Sequence, residues 1–183
     1  MRQKARILEE YLVLQAQAGV PLALSRLVEL RGPKLLSHAT RLLGHPEDAR
    51  DVVQDAWVEI MRGLKGLREP RAFAAWSTRI VTRRCARDIS GNIKRRNLGE
   101  SVWSAGQIPV EQAAEPEDHT AAVRHAIAAL SPAHSATIAL FYLEEMSLAE
   151  VSVALDIPLG TVKTRLMHAR DKLKHALKGV TDE

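Results

Sequence analysis

Apolar residues recur every three or four positions along almost the whole chain, and nowhere do apolar and polar residues alternate long enough to predict a strand. The pattern is that of an all-α protein. It predicts helices over about 5–17 and about 22–29, separated by a break at Gly19-Val20-Pro21. A third helix is expected after Gly32-Pro33, carrying Leu35, Leu36, Ala39, Leu42 and Leu43 and ending at Gly44-His45-Pro46. Pro46 opens the next helix, and Glu47, Asp48 and Asp51 suit the positive end of its dipole. Its inward positions are Val52, Ala56 and Ile60, with Val53 and Trp57 as further candidates, while Gln54, Asp55 and Glu59 point outward. After the loop 63–70, a helix over about 71–89 places Phe73, Trp76, Ile80 and Val81 alongside arginines. Such aromatics either fill a core or stack on unpaired bases.

From Gly91 to His119 periodicity gives way to Gly, Ser, Pro, Gln and acid, which marks a flexible linker able to let Trp103 and Ile108 pack where something holds them. The chain therefore divides into a first helical domain over 1–90, a linker over 91–119 and a second domain, a four-helix unit, over 120–183. Within the second, Ser147 is an N-cap with Glu150 as capping-box partner, and Leu148, Val151, Ala154 and Leu155 share one helical face. Asp156-Ile157-Pro158-Leu159-Gly160 stops that helix, with Pro158 removing a donor and Gly160 free to take an unusual backbone angle. Thr161 is then a cap for a second helix with an apolar stripe of Val162, Leu166, Ala169, Leu173 and Leu177. Lys163, Thr164, Met167, His168 and Arg170 fall on faces that can stay wet. From Thr161 to Lys178, six Lys or Arg oppose only Asp171. Two readings fit: a helical hairpin with a solvated basic face, or a helix-turn-helix whose second helix reaches base edges in the major groove. The compact Pro-Gly turn favours the second.

Charge sharpens this picture. The net charge is only +4, yet Arg79, Arg83, Arg84, Arg87, Lys94, Arg95 and Arg96 face Asp88 alone over 79–96. Two separated basic patches point to a polyanion, since phosphate neutralisation supplies most salt-dependent affinity for nucleic acid. A single cysteine, Cys85, excludes an internal disulfide and a cysteine-based metal cluster. Its arginine neighbours leave two readings, a buried bystander or a reactive thiol, and the first carries more weight. The seven histidines are scattered and no Gly-rich phosphate loop follows a strand, so neither an enzyme nor a metal or other cofactor is expected. Without a long apolar run or a signal-peptide pattern, the expected location is cytoplasmic, with no membrane insertion.

The segments PEDARDVVQDAWVEIMRGL, FAAWSTRIVTRRCARD and ALSPAHSATIALFYLEEMSLAEVSVALDIPLGTVKTRLMHARDKL, in that order around an acid-rich linker, together resemble an RNA polymerase sigma factor of the extracytoplasmic-function (ECF) subgroup of the sigma-70 family. The resemblance covers nearly the whole chain. It implies a non-catalytic subunit that binds core RNA polymerase and reads two elements of promoter DNA. Asp48, Asp51, Val53, Gln54, Asp55 and Trp57 would then meet the polymerase clamp. Lys65, Arg68, Arg71, Trp76, Arg79, Arg83, Arg84 and Arg87 would engage the downstream element as strands open. Lys163, Thr164, Met167 and His168 would lie nearest base edges of the upstream element, with Thr161, Arg165 and Arg170 on phosphates. An anti-sigma protein is the implied regulator. Two departures stand out: a larger aromatic followed by Arg is common where this chain has Met167-His168, and Arg50 replaces a commonly acidic residue. A sigma-like decoy that binds an anti-sigma, and a free-standing helix-turn-helix regulator, are the alternatives. A decoy should lose the cations of the reading helix, and this chain keeps Lys163, Arg165 and Arg170.

Overall fold

Helix α1 (Arg2–Gln17) ends in a turn where Gly19 takes φ +85°, a left-handed conformation that glycine adopts without steric cost. The computed structural model describes residues 2–97, 126–127 and 129–181, and among them every regular element is helical. Helix α2 spans Pro21–Leu43 as one element with Pro33 inside it. This corrects the expected break at Gly32-Pro33. Glu29, whose carbonyl loses its i+4 donor, and Pro33 itself are both exposed, so water can satisfy that carbonyl. Leu27 and Leu35, on either side of the proline, are fully buried and hold both halves on the same core. Gly44, at φ +79°, caps α2 by donating to Thr40 O at 2.8 Å. Helix α3 (Pro46–Leu64) follows, then a 3₁₀ turn (Pro70–Ala72) and helix α4 (Phe73–Asn97).

Helix α4 continues to Asn97, past Gly91 where the linker was expected to start. The remainder of that segment, with Trp103 and Ile108, lies outside the described residues. The second half is built from α5 (Pro132–Ile138), a π-helical turn (Ala139–Leu143), α6 (Leu148–Leu155) and α7 (Leu159–Thr181). Ser147 and Glu150 form the expected capping box: Ser147 N donates to the Glu150 carboxylate at 2.7 Å, and Glu150 N to Ser147 Oγ at 3.2 Å. Helix α7 starts two residues before Thr161, so Thr161 sits in its first turn rather than capping it. Likewise Asp156, at φ +56° and ψ +44°, makes the left-handed turn that the sequence assigned to Gly160. Asp tolerates that region better than most side chains.

Two apolar cores result. The first buries Leu12, Leu27, Leu35, Ile60, Phe73 and Val81 from α1 to α4. The second buries Ile138, Leu140, Val151, Leu155, Val162 and Leu166, and includes Ala75 of α4. Helix α4 is shared between the two cores through small residues. Ala75, Ser77 and Thr78 are buried, and each hydroxyl is satisfied within the helix, Ser77 and Thr78 donating to Ala74 O at 3.2 and 2.7 Å.

His38 lies beneath this contact, with Nε2 2.9 Å from Thr82 Oγ1. Thr82 has one hydroxyl proton, directed at Ala154 O (2.7 Å) or Thr78 O (3.0 Å). His38 Nε2 is therefore the donor, and Nδ1 stays unprotonated without a partner. Burial, then the charges of Arg41 and Arg31, push the imidazole pKa down to about 3 from 6.5. Below pH 6.5 the unfolded chain gains a proton that the folded chain refuses. Stability should fall as pH drops from about 6.5 toward 3, approaching ~1.4 kcal/mol per pH unit from this group. Urea unfolding of His38→Gln across pH 4–7 should show that slope reduced; an unchanged slope would assign it to carboxylates.

Candidate nucleic-acid and polymerase interfaces

The outward face of α3 presents Asp48, Asp51, Gln54 and Asp55, all exposed. Val53 and Trp57 are not part of it. At 7% and 8% exposure they continue the buried row Ala49, Ala56 and Ile60 and pack in the first core, where the resemblance implied polymerase contacts. A helical spacing of three and four puts all five on one side. Arg50 is exposed and pairs with Glu47.

Before α4, Lys65, Arg68 and Arg71 are exposed, and Arg71 Nε lies 3.5 Å from Glu10 Oε2. Trp76 is half-buried, packed on the first core with its ring 6.1 Å from that of Phe73. Its indole is committed to packing on one side. Along α4, Arg87 is exposed, while Arg84 reaches back to α3, with nitrogens 3.1 Å from Asp55 and 3.0 Å from Glu59. Arg79 and Arg83 converge instead on Asp156, at 2.7 and 2.9 Å. The downstream cations are thus spread from the loop before α4 along that helix, and Arg71, Arg79, Arg83 and Arg84 are engaged by protein carboxylates.

On α7 the buried stripe Val162, Leu166 and Ala169 turns Lys163, Thr164, Met167, His168 and Arg170 to the surface, with Met167 53% exposed. Thr161 and Arg165 are half-buried beside them. Leu177, the expected end of the stripe, lies outside the described side chains. One feature escaped the sequence reading. Tyr142, presented by the π-helical turn, accepts a 2.7 Å hydrogen bond from Arg170 Nε, and the guanidinium carbon sits 5.5 Å from the ring centroid. A π turn adds a residue to the helical ladder and re-aims the side chains beyond it. Nothing in the local pattern announced it. Nearby, the His134 and His168 rings lie 6.3 Å apart. His134 is held below the ordinary histidine range by partial desolvation, then by Lys172, Arg165 and His168. Lys172 and Arg165 thus place positive charge beside His134 on this side of α7, as an anion-binding surface requires.

Comparison with known proteins gives the same assignment from an independent direction. The family described as Sigma-70 region 2 matches residues 27–95, and Sigma-70, region 4 matches residues 120–173. The ECF RNA polymerase sigma factor SigW of Bacillus subtilis is 25% identical over 179 residues, covering 91% of this chain and 95% of SigW. This chain belongs to the ECF subgroup of the sigma-70 family. The sigma-H factor of Pseudomonas aeruginosa is 24% identical over 186 residues, covering 96% of each chain. Among solved structures, CnrH in complex with the cytosolic domain of CnrY matches with a TM-score of 0.63 and 25% identity over 94% of this chain and 98% of CnrH. The sigma factor RpoE of Bartonella quintana, in complex with the anti-sigma factor NepR, matches with a TM-score of 0.66 over 84% of this chain and 96% of that one, at 21% identity, which bears on fold alone. As a sigma factor the protein is a non-catalytic specificity subunit that directs transcription initiation by RNA polymerase at promoter DNA.

Among the described residues of this sigma factor no His, Cys, Asp or Glu side chains gather as a metal site, and no helix is long and apolar enough to cross a membrane. Cys85 is 1% exposed, and burial, then Asp88, push its thiol up to about 12 against a smaller opposing backbone hydrogen bond. Its arginine neighbours point elsewhere along α4. Iodoacetamide at pH 8 should therefore leave the native protein unlabelled and label it fully in urea; rapid native labelling would show an accessible, activated thiol.

Proposed function

We propose that the sigma factor divides its work between residues 1–90, which bind core polymerase and the downstream (−10) element, and residues 120–183, which read the upstream (−35) element. The observation that carries this reading is the shared exposure of Lys163, Thr164, Met167, His168 and Arg170 above a buried apolar stripe. That arrangement suits a helix inserted in a major groove, with Lys163 reaching acceptor-rich base edges, Arg170 a phosphate, and Met167 offering an apolar contact to a thymine methyl. Thr161 and Arg165 flank this face toward the backbone. On the other unit, Asp48, Asp51, Gln54 and Asp55 form a polar clamp-binding face on α3. Lys65, Arg68, Arg71 and Arg87, joined by Arg79, Arg83 and Arg84 when these are released, would hold phosphates of the separated strand. Trp76 supports the wall beside that strand. Capture of unpaired bases there offsets the few kcal/mol of unstacking per base.

The protein acts in the cytoplasm, where polymerase and promoters are, and its regulator is an anti-sigma protein. The anti-sigma factor bound to RpoE, a protein of the same fold, prompts that last point. The exposed cations of α7 speak against a decoy, and the polar α3 face has no role in a free-standing regulator.

Run-off transcription by purified core polymerase on a fragment library, with transcripts sequenced, tests the proposal. Discrete starts that need this protein would support it and reveal both elements. Lys163→Ala with Arg170→Ala should weaken promoter binding about tenfold or more, at ~1–3 kcal/mol for each base-edge hydrogen-bonding pair removed, and leave core binding intact. Equal loss of both would make the helix merely structural. Asp55→Lys should weaken core binding, and unchanged affinity would overturn the clamp assignment.

A further inference from the structure

Five ion pairs join the first four helices to the later ones among the described residues: Arg6–Glu150, Arg31–Glu144, Lys34–Glu144, Arg79–Asp156 and Arg83–Asp156. In every one the cation belongs to residues 1–97 and the carboxylate to α6 or the segments bounding it. Glu144 lies in the corner before α6, Glu150 in its first turn and Asp156 at its C-terminal cap, so the acids of these pairs are spread along α6 and its two ends.

The densest point is Asp156. Its Oδ1 accepts from Arg79 Nε at 2.9 Å and Nη2 at 2.7 Å, and its Oδ2 accepts from Arg83 Nε at 2.9 Å. Those bonds, Arg83 first and then Arg79, hold the carboxyl below its usual range. One anion bridging two arginines a helical turn apart is the arrangement a nucleic-acid phosphate would make on the same pair. Beside it, Thr82 donates to Ala154 O, a carbonyl in the last turn of α6 that has no donor from its own helix. At the other end, Arg31 is 3% exposed, and its Nη1 lies 3.3 Å from Glu144 and 3.8 Å from Glu9. Lys34 Nζ shares Glu144 at 3.1 Å. Between these ends, Ala74, Ala75 and Leu42 pack on the second core.

We propose that this seam is an electrostatic latch that closes the free sigma factor, with Asp156 standing in for a promoter phosphate on Arg79 and Arg83. The inference rests on the reading of those two arginines as strand contacts. While Asp156 occupies them, the downstream strip cannot take a strand, and the turn of the helix-turn-helix is held against α4. Most of the pairs are partly exposed, with side-chain exposure of 39% and 37% at Arg79–Asp156 and 51% and 37% at Arg83–Asp156, so salt and a competing polyanion can reach them. Arg31 is the exception. It stays buried and is the point at which the closed form depends most on its partner, because an unpaired buried cation is costly.

Small-angle scattering of the full chain tests the latch. At low salt the protein should be compact, near the radius of gyration of about 16 Å typical of a folded chain of this length, and should expand as NaCl is raised. Asp156→Asn with Glu144→Gln should be expanded already at low salt, with helical circular dichroism unchanged, since Asn suits the left-handed backbone at 156. The same variant should bind single-stranded non-template promoter DNA about fivefold or more tighter than the natural protein. Glu29→Gln with Glu47→Gln, which removes two exposed carboxylates outside the five pairs, should give no such gain. Equal radii for the variant and the natural protein, or a natural protein already expanded at low salt, would overturn the latch. A DNA gain shared by the control would assign the effect to bulk charge and overturn it too. Should the variant lose helix, the salt titration of the natural protein decides alone. Scattering uses neither polymerase nor promoter, so the latch can fail while promoter reading stands, and the reverse.

Discussion

Helix α4 has to pack on both of its sides, and most of the structure depends on that constraint. One side supplies Phe73, Ile80 and Val81 to the first core, while the other carries Ala74, Ala75, Thr78 and Thr82 toward the second. A bulky side chain in that second row would keep α6 away. Small residues let the backbones approach, Thr78 donates to the carbonyl one turn back and Thr82 turns its single proton to Ala154 O, so neither hydroxyl is stranded by the contact. Thr82 goes further, joining His38 below it to Ala154 across the seam. The neutral state of His38 follows from that chain of donors, since a second ring proton would have no acceptor.

The charged residues follow the same geometry. Because α4 is central, the arginines described along it have three destinations: Arg84 returns to Asp55 and Glu59 on α3, Arg79 and Arg83 cross to Asp156, and Arg87 remains at the surface. A run of cations that looks uniform in sequence is thus partitioned into separate roles. Two of those engagements hold residues of the proposed strand-binding strip, and a third ties that strip to the proposed polymerase face. Binding at one face therefore has a physical route to the other, through carboxylates that must exchange their partners.

Irregular backbone concentrates where the two halves meet. The π turn over Ala139–Leu143 presents Tyr142 to Arg170 and is followed by Glu144, which reaches Arg31 and Lys34. Glu145, at φ +52°, and Asp156, at φ +56°, are the non-glycine residues with positive φ among those described, and they flank α6 on either side. Left-handed residues turn the chain sharply without added length. The consequence is a short, rigid α6 whose ends are both fixed, which suits a helix that must support the reading helix on one side and meet α4 on the other.

The sequence by itself determined the helical class, most helix boundaries, the capping box at Ser147, the inward stripe of α7 and the family, because these depend on residues three or four positions apart or on motifs in a fixed order. It also identified which face of α3 is polar. Local signals misplaced the break at Pro33, the left-handed residue of the turn and the start of α7, since packing by Leu27 and Leu35 outweighs one missing backbone hydrogen bond and Asp156 can adopt what Gly160 was expected to supply. The sequence left Val53 and Trp57 with an inward and an outward reading, and tertiary structure buried them; it alone decided that Tyr142 holds Arg170 and that Asp156 meets arginines 73 and 77 residues earlier. Contacts at such separations leave no periodic trace in the chain. They exist only once two amphipathic units have folded and their leftover polar faces have found each other.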